Sequence, residues 1–409
     1  MRVCFFNRSY WPDLGAIGQL LIELAEDLVH DYGCEVSVVA APPLLAPPAH
    51  PRQRRAWLPV RREARHGVQI VRAAGTTFPP GRFVGRASNY LSYFVTACLA
   101  GLMVPRPEVV VALTDPPIIG LAALLTARRA SARLVFLCQD VFPEVTWLLD
   151  DFQNATVNRL LDRINRLLIR QADRVVALGD AMRQRLIVGK GADPRKVTVI
   201  HNWADCRAIV PGPKRNAFSL AHGLAEAFVV LHSGNMGQSQ GLESLADAAS
   251  LLRSYDDLQV VLVGDGTTRP ALEAKVRSQG MSNVHFLPCQ PREQLWQSFA
   301  SADVFVISLK RGLASSIVPS KLYGILAAGW PYVAAVEEAC EVTAITKQYH
   351  CGLLAEPGDP KVLADALLTL YHDRALAQRL GANARRAAWE FDRRRQVRAY
   401  AELFQTLRS

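Results

Sequence analysis

Residues 228–237 read FVVLHSGNMG, and this stretch decides the fold. Phe228 to Ser233 is a short, mostly apolar run of the kind that forms a buried parallel strand. It breaks into Gly234, Asn235, Met236 and Gly237 before a helix expected near Leu242. Glycine lets a ligand approach the main chain closely, and doubly wound sheets bind ligands outside the carboxyl ends of their strands. A simple turn is the alternative reading.

The same alternation extends in both directions. Downstream, strands are expected at Leu258 to Val263, Val284 to Leu287, Val304 to Ile307, Tyr332 to Ala335 and Gly352 to Ala355. Upstream they are expected at Arg2 to Asn7, Glu35 to Ala40, Gln69 to Arg72, Val109 to Ala112, Arg133 to Cys138, Arg174 to Ala177 and Val197 to His201. Amphipathic stretches such as Ile17 to Tyr32 and Thr156 to Gln171 lie between them, so both halves read as α/β, with parallel sheets covered by helices. The pattern lapses over Ala204 to Lys214, ADCRAIVPGPK, where a linker is expected. A chain of 409 residues also exceeds the roughly 250–300 at which a single core stops growing. The expected domains are 1–205 and 206–388, with a terminal helix, 389–409, packing back onto the first.

Half of the residues are apolar and 21% are charged, a globular composition. Eight cysteines without a C-x-x-C pair suggest neither a disulfide framework nor a zinc site; they read as small buried hydrophobes in a reducing compartment. Met1 runs directly into RVCFFN without signal-peptide features, which predicts a cytoplasmic protein. Net charge is +10, and Arg52 to Arg86 holds nine arginines against one acid, Glu63. That segment is either a solvated basic loop or a contact for an anionic membrane surface or lipid diphosphate. No nucleic-acid-binding signature accompanies it, and nucleic acid is not expected as a partner. Leu91 to Val104, LSYFVTACLAGLMV, is uncharged but shorter than the roughly 20 residues of a spanning helix. It reads either as a buried helix or as one lying in a membrane interface.

Three further segments suggest a site. Gly15, Ala16, Ile17 and Gly18 follow the first strand and precede a helix, where exposed amides suit an anion, although a tight turn is the competing reading. Gly264 and Gly266 flank Asp265 after the next C-terminal strand. VPSKLYGILAAGWP, Val318 to Pro331, is the most specific: Pro319 is expected to start a helix with Lys321 in its first turn and Lys310 and Arg311 just upstream. A lysine there opposes the helix dipole, unless a bound diphosphate reverses the sign. A surface or structural lysine is the alternative.

The ordered set SYWPDLGAIGQ, TDPP (Thr114 to Pro117), CQDVFPE, VIHNWAD, SGNMG, VGDGT, VPSKLYGILAAGWP and CGLLAEPGDP spans nearly the whole chain. With it the sequence resembles the retaining glycosyltransferases of family 4, especially the branch building colanic-acid-type exopolysaccharide and O-antigen. The resemblance implies a GT-B fold, two Rossmann-like doubly wound domains facing a central cleft, and metal-independent transfer without a cofactor. A nucleotide diphosphosugar would be the donor substrate on the C-terminal domain, with fucosyl or N-acetylfucosaminyl suggested by the branch. A lipid-linked saccharide would be the acceptor on the N-terminal domain, with peripheral contact at the inner leaflet.

The resemblance also implies donor contacts at Gly15, Gly18, Gly234, Asn235, Met236, Gly237, Gly264, Leu287 and Ser320, with the base near Phe286 and Leu287. Two departures matter. Where many relatives carry an arginine and a lysine to neutralise the diphosphate, this chain has Asn235 and Gln240, so the cation must come from elsewhere: Lys321 first, then Lys310 or Arg311. The glutamate pair of the family falls on Ser316 and Gly324, leaving Glu341 as a replacement ribose ligand or a helix cap. Asp140, in CQD, is the candidate to orient or deprotonate the acceptor, against a turn-capping role; Glu144 is the alternative carboxylate. No D-x-D metal motif is present. The rival readings are a sugar-nucleotide epimerase of the same fold, or a partner subunit that has lost catalysis.

Overall fold

The structure is a computed structural model that describes all residues except 14, 44–58, 79–82, 149–153, 292–293 and 409. It divides into two compact units, Met1–His201 with Gln396–Ser409, and Asn202–Arg395. The segment expected as a linker, 204–214, lies within the second unit, where the Arg385 guanidinium donates to the carbonyls of Cys206, Ile209 and Ala327.

In chain order the first unit comprises β1 (Arg2–Phe6), α1 (Ala16–His30), β2 (Glu35–Ala40), β3 (Val60–Arg65), β4 (Val68–Ala73), α2 (Phe83–Met103) and β5 (Val109–Ala112). It continues with α3 (Ile119–Ala130), β6 (Arg133–Leu137), α4 (Glu144–Leu148), α5 (Ala155–Gln171), β7 (Arg174–Ala177), α6 (Asp180–Gln184) and β8 (Val197–Val199). The strands form one sheet, ordered β3-β4-β2-β1-β5-β6-β7-β8. Every pairing is parallel except β3 with β4.

Sequence reading missed β3. It lies inside the arginine-rich segment, whose charge density masks a strand pattern, and it is stitched to β4 by a buried ion pair, Arg72 Nε to Glu63 Oε1 at 2.6 Å. Arg72 also donates to the carbonyls of Ala41 and Trp11, and Arg65 pairs with Glu26 at 2.5 Å. Those two arginines of the basic segment therefore serve the fold. Arg52, Arg54, Arg55 and Arg82 lie outside the described residues.

Side chains of β1 alternate between two helical layers. Phe5 meets Phe404 edge to face, with ring centroids 6.3 Å apart. Phe404 belongs to α15 (Arg393–Thr406), most of which packs with the first unit. Phe6 faces the opposite way, towards Gly101 of α2, where a Cβ would come within 3.3 Å of the Phe6 ring and 2.2 Å of the Thr126 hydroxyl on α3. A Cβ on Gly120 of α3 would in turn meet Leu168 of α5 at 2.4 Å. Small residues thus draw α2, α3 and α5 together into one layer.

The second unit contains α7 (Ala217–Ala221), β9 (Phe228–Ser233), α8 (Glu243–Leu251), β10 (Leu258–Val263), α9 (Arg269–Ser278), β11 (Val284–Leu287) and α10 (Leu295–Ala300). After these come β12 (Val304–Ser308), α11 (Lys321–Ala328), β13 (Tyr332–Ala335), α12 (Glu341–Tyr349), β14 (Gly352–Ala355), α13 (Pro360–His372) and α14 (Arg374–Ala388). Its sheet is wholly parallel, ordered β11-β10-β9-β12-β13-β14. Val230, Leu262, Val306 and Val333 from the strands pack with Leu245, Leu363 and Leu367 from the helices in its core.

Strand order reverses direction between β1 and β5 in one sheet and between β9 and β12 in the other. Such reversals open a crevice beyond the carboxyl ends of the strands, the usual ligand position in doubly wound sheets. Phe404 is fully buried, so Phe404→Ala should cost the first unit about 3–5 kcal/mol in a denaturant titration. A loss below about 1 kcal/mol would show that α15 does not anchor there.

Candidate functional site

At the β9 edge the strand-end loops are stacked so tightly that side chains are excluded. Gly234 has φ +124° and Gly264, following β10, has φ +143°. A Cβ on Gly264 would lie 2.0 Å from the Gly234 carbonyl oxygen, and one on Gly266 would lie 2.4 Å from that of Met236. The cost of this packing is that some amides are consumed internally: Gly234 N donates to Val263 O, and Met236 N to Asp265 O. The main-chain amides of Gly234 and Met236 are therefore not open to a ligand, although sequence placed both residues among the donor contacts. The Met236 side chain is likewise in the core rather than towards a ligand. Asn235 folds its side-chain amide over Gly237.

The loop after β12 closes on the same edge, with Lys310 N donating to Ser239 O at 2.8 Å. α11 begins at Lys321, two residues later than expected, with Ser320 as an N-cap whose side chain caps nothing. Lys321 Nζ reaches to the β9 edge. It donates to Gln240 Oε1 at 2.7 Å and lies 3.1 Å from His232 Nε2, and a Cβ placed on Gly234 would be 3.9 Å from it. Both partners are neutral acceptors, because the buried His232 is held well below its usual pKa by burial and by Lys321 itself. With Nε2 accepting, the ring proton sits on Nδ1. An ammonium has three protons, and no carboxylate among the described residues pairs with this one. Burial accordingly pushes the Lys321 amine down to about 7.

The other candidates of this unit fall into place around Lys321. Arg311 is committed to Glu356 at 2.6 Å and to the Pro357 carbonyl, so it is not poised for a ligand as Lys321 is. Lys310 is exposed. Leu287 ends β11, and its carbonyl accepts from Gly264 N. Glu341 is buried at the first position of α12, with its charge felt by Tyr323 of α11. At Gly324 a Cβ would lie 3.3 Å from the Phe299 ring, so a larger residue there needs that ring to shift by a few tenths of an ångström, and Ser316 is buried.

In the first unit a second cluster occupies the β1/β5 switch point. Asp115 accepts from Arg8 Nε at 3.0 Å and from Ser9 Oγ at 3.1 Å, and Arg8 lies 5.5 Å over the Tyr90 ring. Asp140 follows β6, with its amide 3.3 Å from Thr114 Oγ1. Burial, and after it the Asp115 charge, raise the Asp140 carboxyl to about 7. Its carboxylate makes no capping bond among the described residues. Glu144 instead joins Arg185 at 3.0 Å and the buried Lys190 at 2.8 Å in an ion-pair network with Asp162. Gly15 is the N-cap of α1 with open space at its Cβ position. Gly18 lies inside α1, where a Cβ would touch Ser9 at 3.4 Å, so its smallness serves packing.

His232, Arg8 and Asp115 were not singled out from sequence. The signal for His232 was present: it is the one basic residue in a strand otherwise built for burial, VVLHS. Cys289 is exposed, against the expectation that all cysteines are buried.

Both halves match known families. Residues 15–203 match the family described as "Glycosyl transferase 4-like domain", and residues 217–387 match "Glycosyl transferases group 1". The chain is thus a GT-B-fold glycosyltransferase related to the members of these two families. It is 26% identical to a putative colanic acid biosynthesis glycosyl transferase, WcaI, of Escherichia coli, over 84% of this chain and 85% of the relative. To the probable glycosyltransferase WbjE of Pseudomonas aeruginosa it is 28% identical, over 63% and 65%. Its fold is similar to the crystal structure of Anabaena HepE in complex with UDP-glucose, with a TM-score of 0.74, 19% identity, and coverage of 99% of this chain and 100% of HepE.

Because the Asp115 charge adds to the burial of Asp140, Asp115→Asn should lower the Asp140 pKa from about 7. Carbon NMR of the labelled carboxyl reads this directly. An unchanged titration would mean that burial alone sets it.

Proposed function

We propose that the chain transfers a hexosyl residue from a nucleotide diphosphosugar to a lipid-linked saccharide, with retention, in surface polysaccharide synthesis at the cytoplasmic face of the membrane. The observation that carries this reading is the Lys321 ammonium, held against the Gly234 loop with neutral partners only. A diphosphate supplies the missing counter-charge.

In this reading the bond from the sugar C1 to the diphosphate oxygen breaks, and a bond from C1 to the acceptor oxygen forms. The acceptor proton passes to the departing phosphate or to Asp140, and the nucleoside diphosphate leaves with its charge met by Lys321. The base lies near Phe286 and Leu287, and Glu341, at the start of α12, is the candidate for the ribose. A fucosyl or N-acetylfucosaminyl donor is favoured by the resemblance to the colanic-acid and O-antigen branch. The relatives named above support the polysaccharide context, and HepE, with UDP-glucose bound, supports the donor class.

Lys321→Ala should weaken donor affinity about ten- to a hundredfold by calorimetry, the scale of a charge-assisted hydrogen bond. Gln240→Lys in that background should restore part of it, since Gln240 Oε1 and Lys321 Nζ are only 2.7 Å apart. Affinity unaffected by the first change removes Lys321 from the site. Asp140→Asn should lower turnover far more than donor affinity; an equal loss of both would assign Asp140 to donor binding. A panel of nucleotide sugars tested for their effect on thermal melting identifies the donor.

A further inference from the structure

α2 breaks the usual rule for a surface helix. Its inner side packs on the sheet through Tyr93, Ala97 and Ala100, all buried. Its outer side carries Leu91, Val95, Leu99 and Leu102, which are 46–58% exposed. The spacing of four, four and three residues draws one stripe about 16 Å long on the water-facing side. Surface helices present polar residues there, and α2 has no charged residue after Arg86.

The stripe does not stand alone. α3, packed against α2, exposes Leu125 with Arg128 and Arg129 on its outer side. α5, packed against α3, exposes Leu160 and Leu167 together with Arg159, Arg163 and Arg170. The three helices hold seven arginines against one acid, Asp162, and that acid is bound by Arg166 and Lys190. The outer surface of this layer is therefore apolar and cationic at once. Exposed patches of this kind mark interaction surfaces.

We propose that the outer face of α2, α3 and α5 lies on an anionic lipid bilayer, with the α2 stripe entering the headgroup and acyl boundary and the α3 and α5 arginines held at the phosphates. The arginines of α3 and α5 select a negatively charged partner, and the long apolar side chains beside them suit the interface of a membrane rather than a nucleic acid. A second copy of the chain would bring the same arginines together without counter-charge. Among the described residues no helix is long and apolar enough to cross the membrane, so the contact is peripheral. The inference deepens the reading of a lipid-linked acceptor and rests on it only for its biological purpose. Sequence offered two places for such a contact, the basic segment and the apolar run Leu91 to Val104; the inference takes the second and adds the arginines of α3 and α5.

The test is flotation of the full chain with vesicles of phosphatidylglycerol and phosphatidylcholine, against phosphatidylcholine alone. Binding is expected only to the anionic vesicles, and is expected to fall at least tenfold in V95D/L99D, in R159E/R163E, and in high salt. The variants should keep the wild-type melting temperature and the same stabilisation by nucleotide sugar, which separates failure of docking from failure of the donor site. No binding to anionic vesicles, or binding that the variants do not change, overturns the proposal. So does a concentration-dependent dimer that V95D/L99D dissolves, because that assigns the face to a second copy.

Discussion

A lysine ammonium drawn out of water and given only neutral acceptors is the constraint on which the candidate site depends. Lys321 is pinned by Gln240 and His232, and no carboxylate among the described residues pairs with it. Such a group loses its proton more readily than a lysine in water, and it regains the proton when an anion arrives. In the proposed reading, a negatively charged ligand supplies the counter-charge that these neutral partners do not.

The parallel sheets explain how that lysine is positioned. The β9/β12 reversal opens an edge where the loops after β9, β10 and β12 can meet, and Gly234 and Gly264 let the first two approach closer than any side chain permits. The start of α11 then delivers Lys321 across the loop after β9 to Gln240 and His232. The first unit uses the same geometry with opposite charge: Arg8 neutralises Asp115 at the β1/β5 reversal, and the neighbouring Asp140 is left to hold its proton near neutrality.

Much of this was legible in the sequence because period and punctuation are local signals. Runs such as VVLHS and LQVVLV, ended by glycine, located strands and loops almost to the residue, and all six strands of the second sheet were found. β3 was missed because an edge strand with one solvated face tolerates VRREAR, a pattern without an apolar stripe. The pairing of Lys321 with His232, 89 residues apart, was out of reach because periodicity says nothing of which loops meet. For the apolar run Leu91 to Val104 sequence left two readings open, a buried helix or an interfacial one, because only the fold shows which side of it is left uncovered.

Affinity for an intact nucleotide diphosphosugar, measured by calorimetry from pH 6 to pH 9, tests the central claim most directly. The free amine titrates near 7 and the bound amine must titrate higher, so the ligand binds the protonated form. Affinity should be constant below pH 7 and fall towards tenfold per pH unit above it, and Lys321→Arg, which cannot lose its proton, should flatten the profile. A wild-type profile that stays level to pH 9, or one whose slope survives Lys321→Arg, would contradict the account.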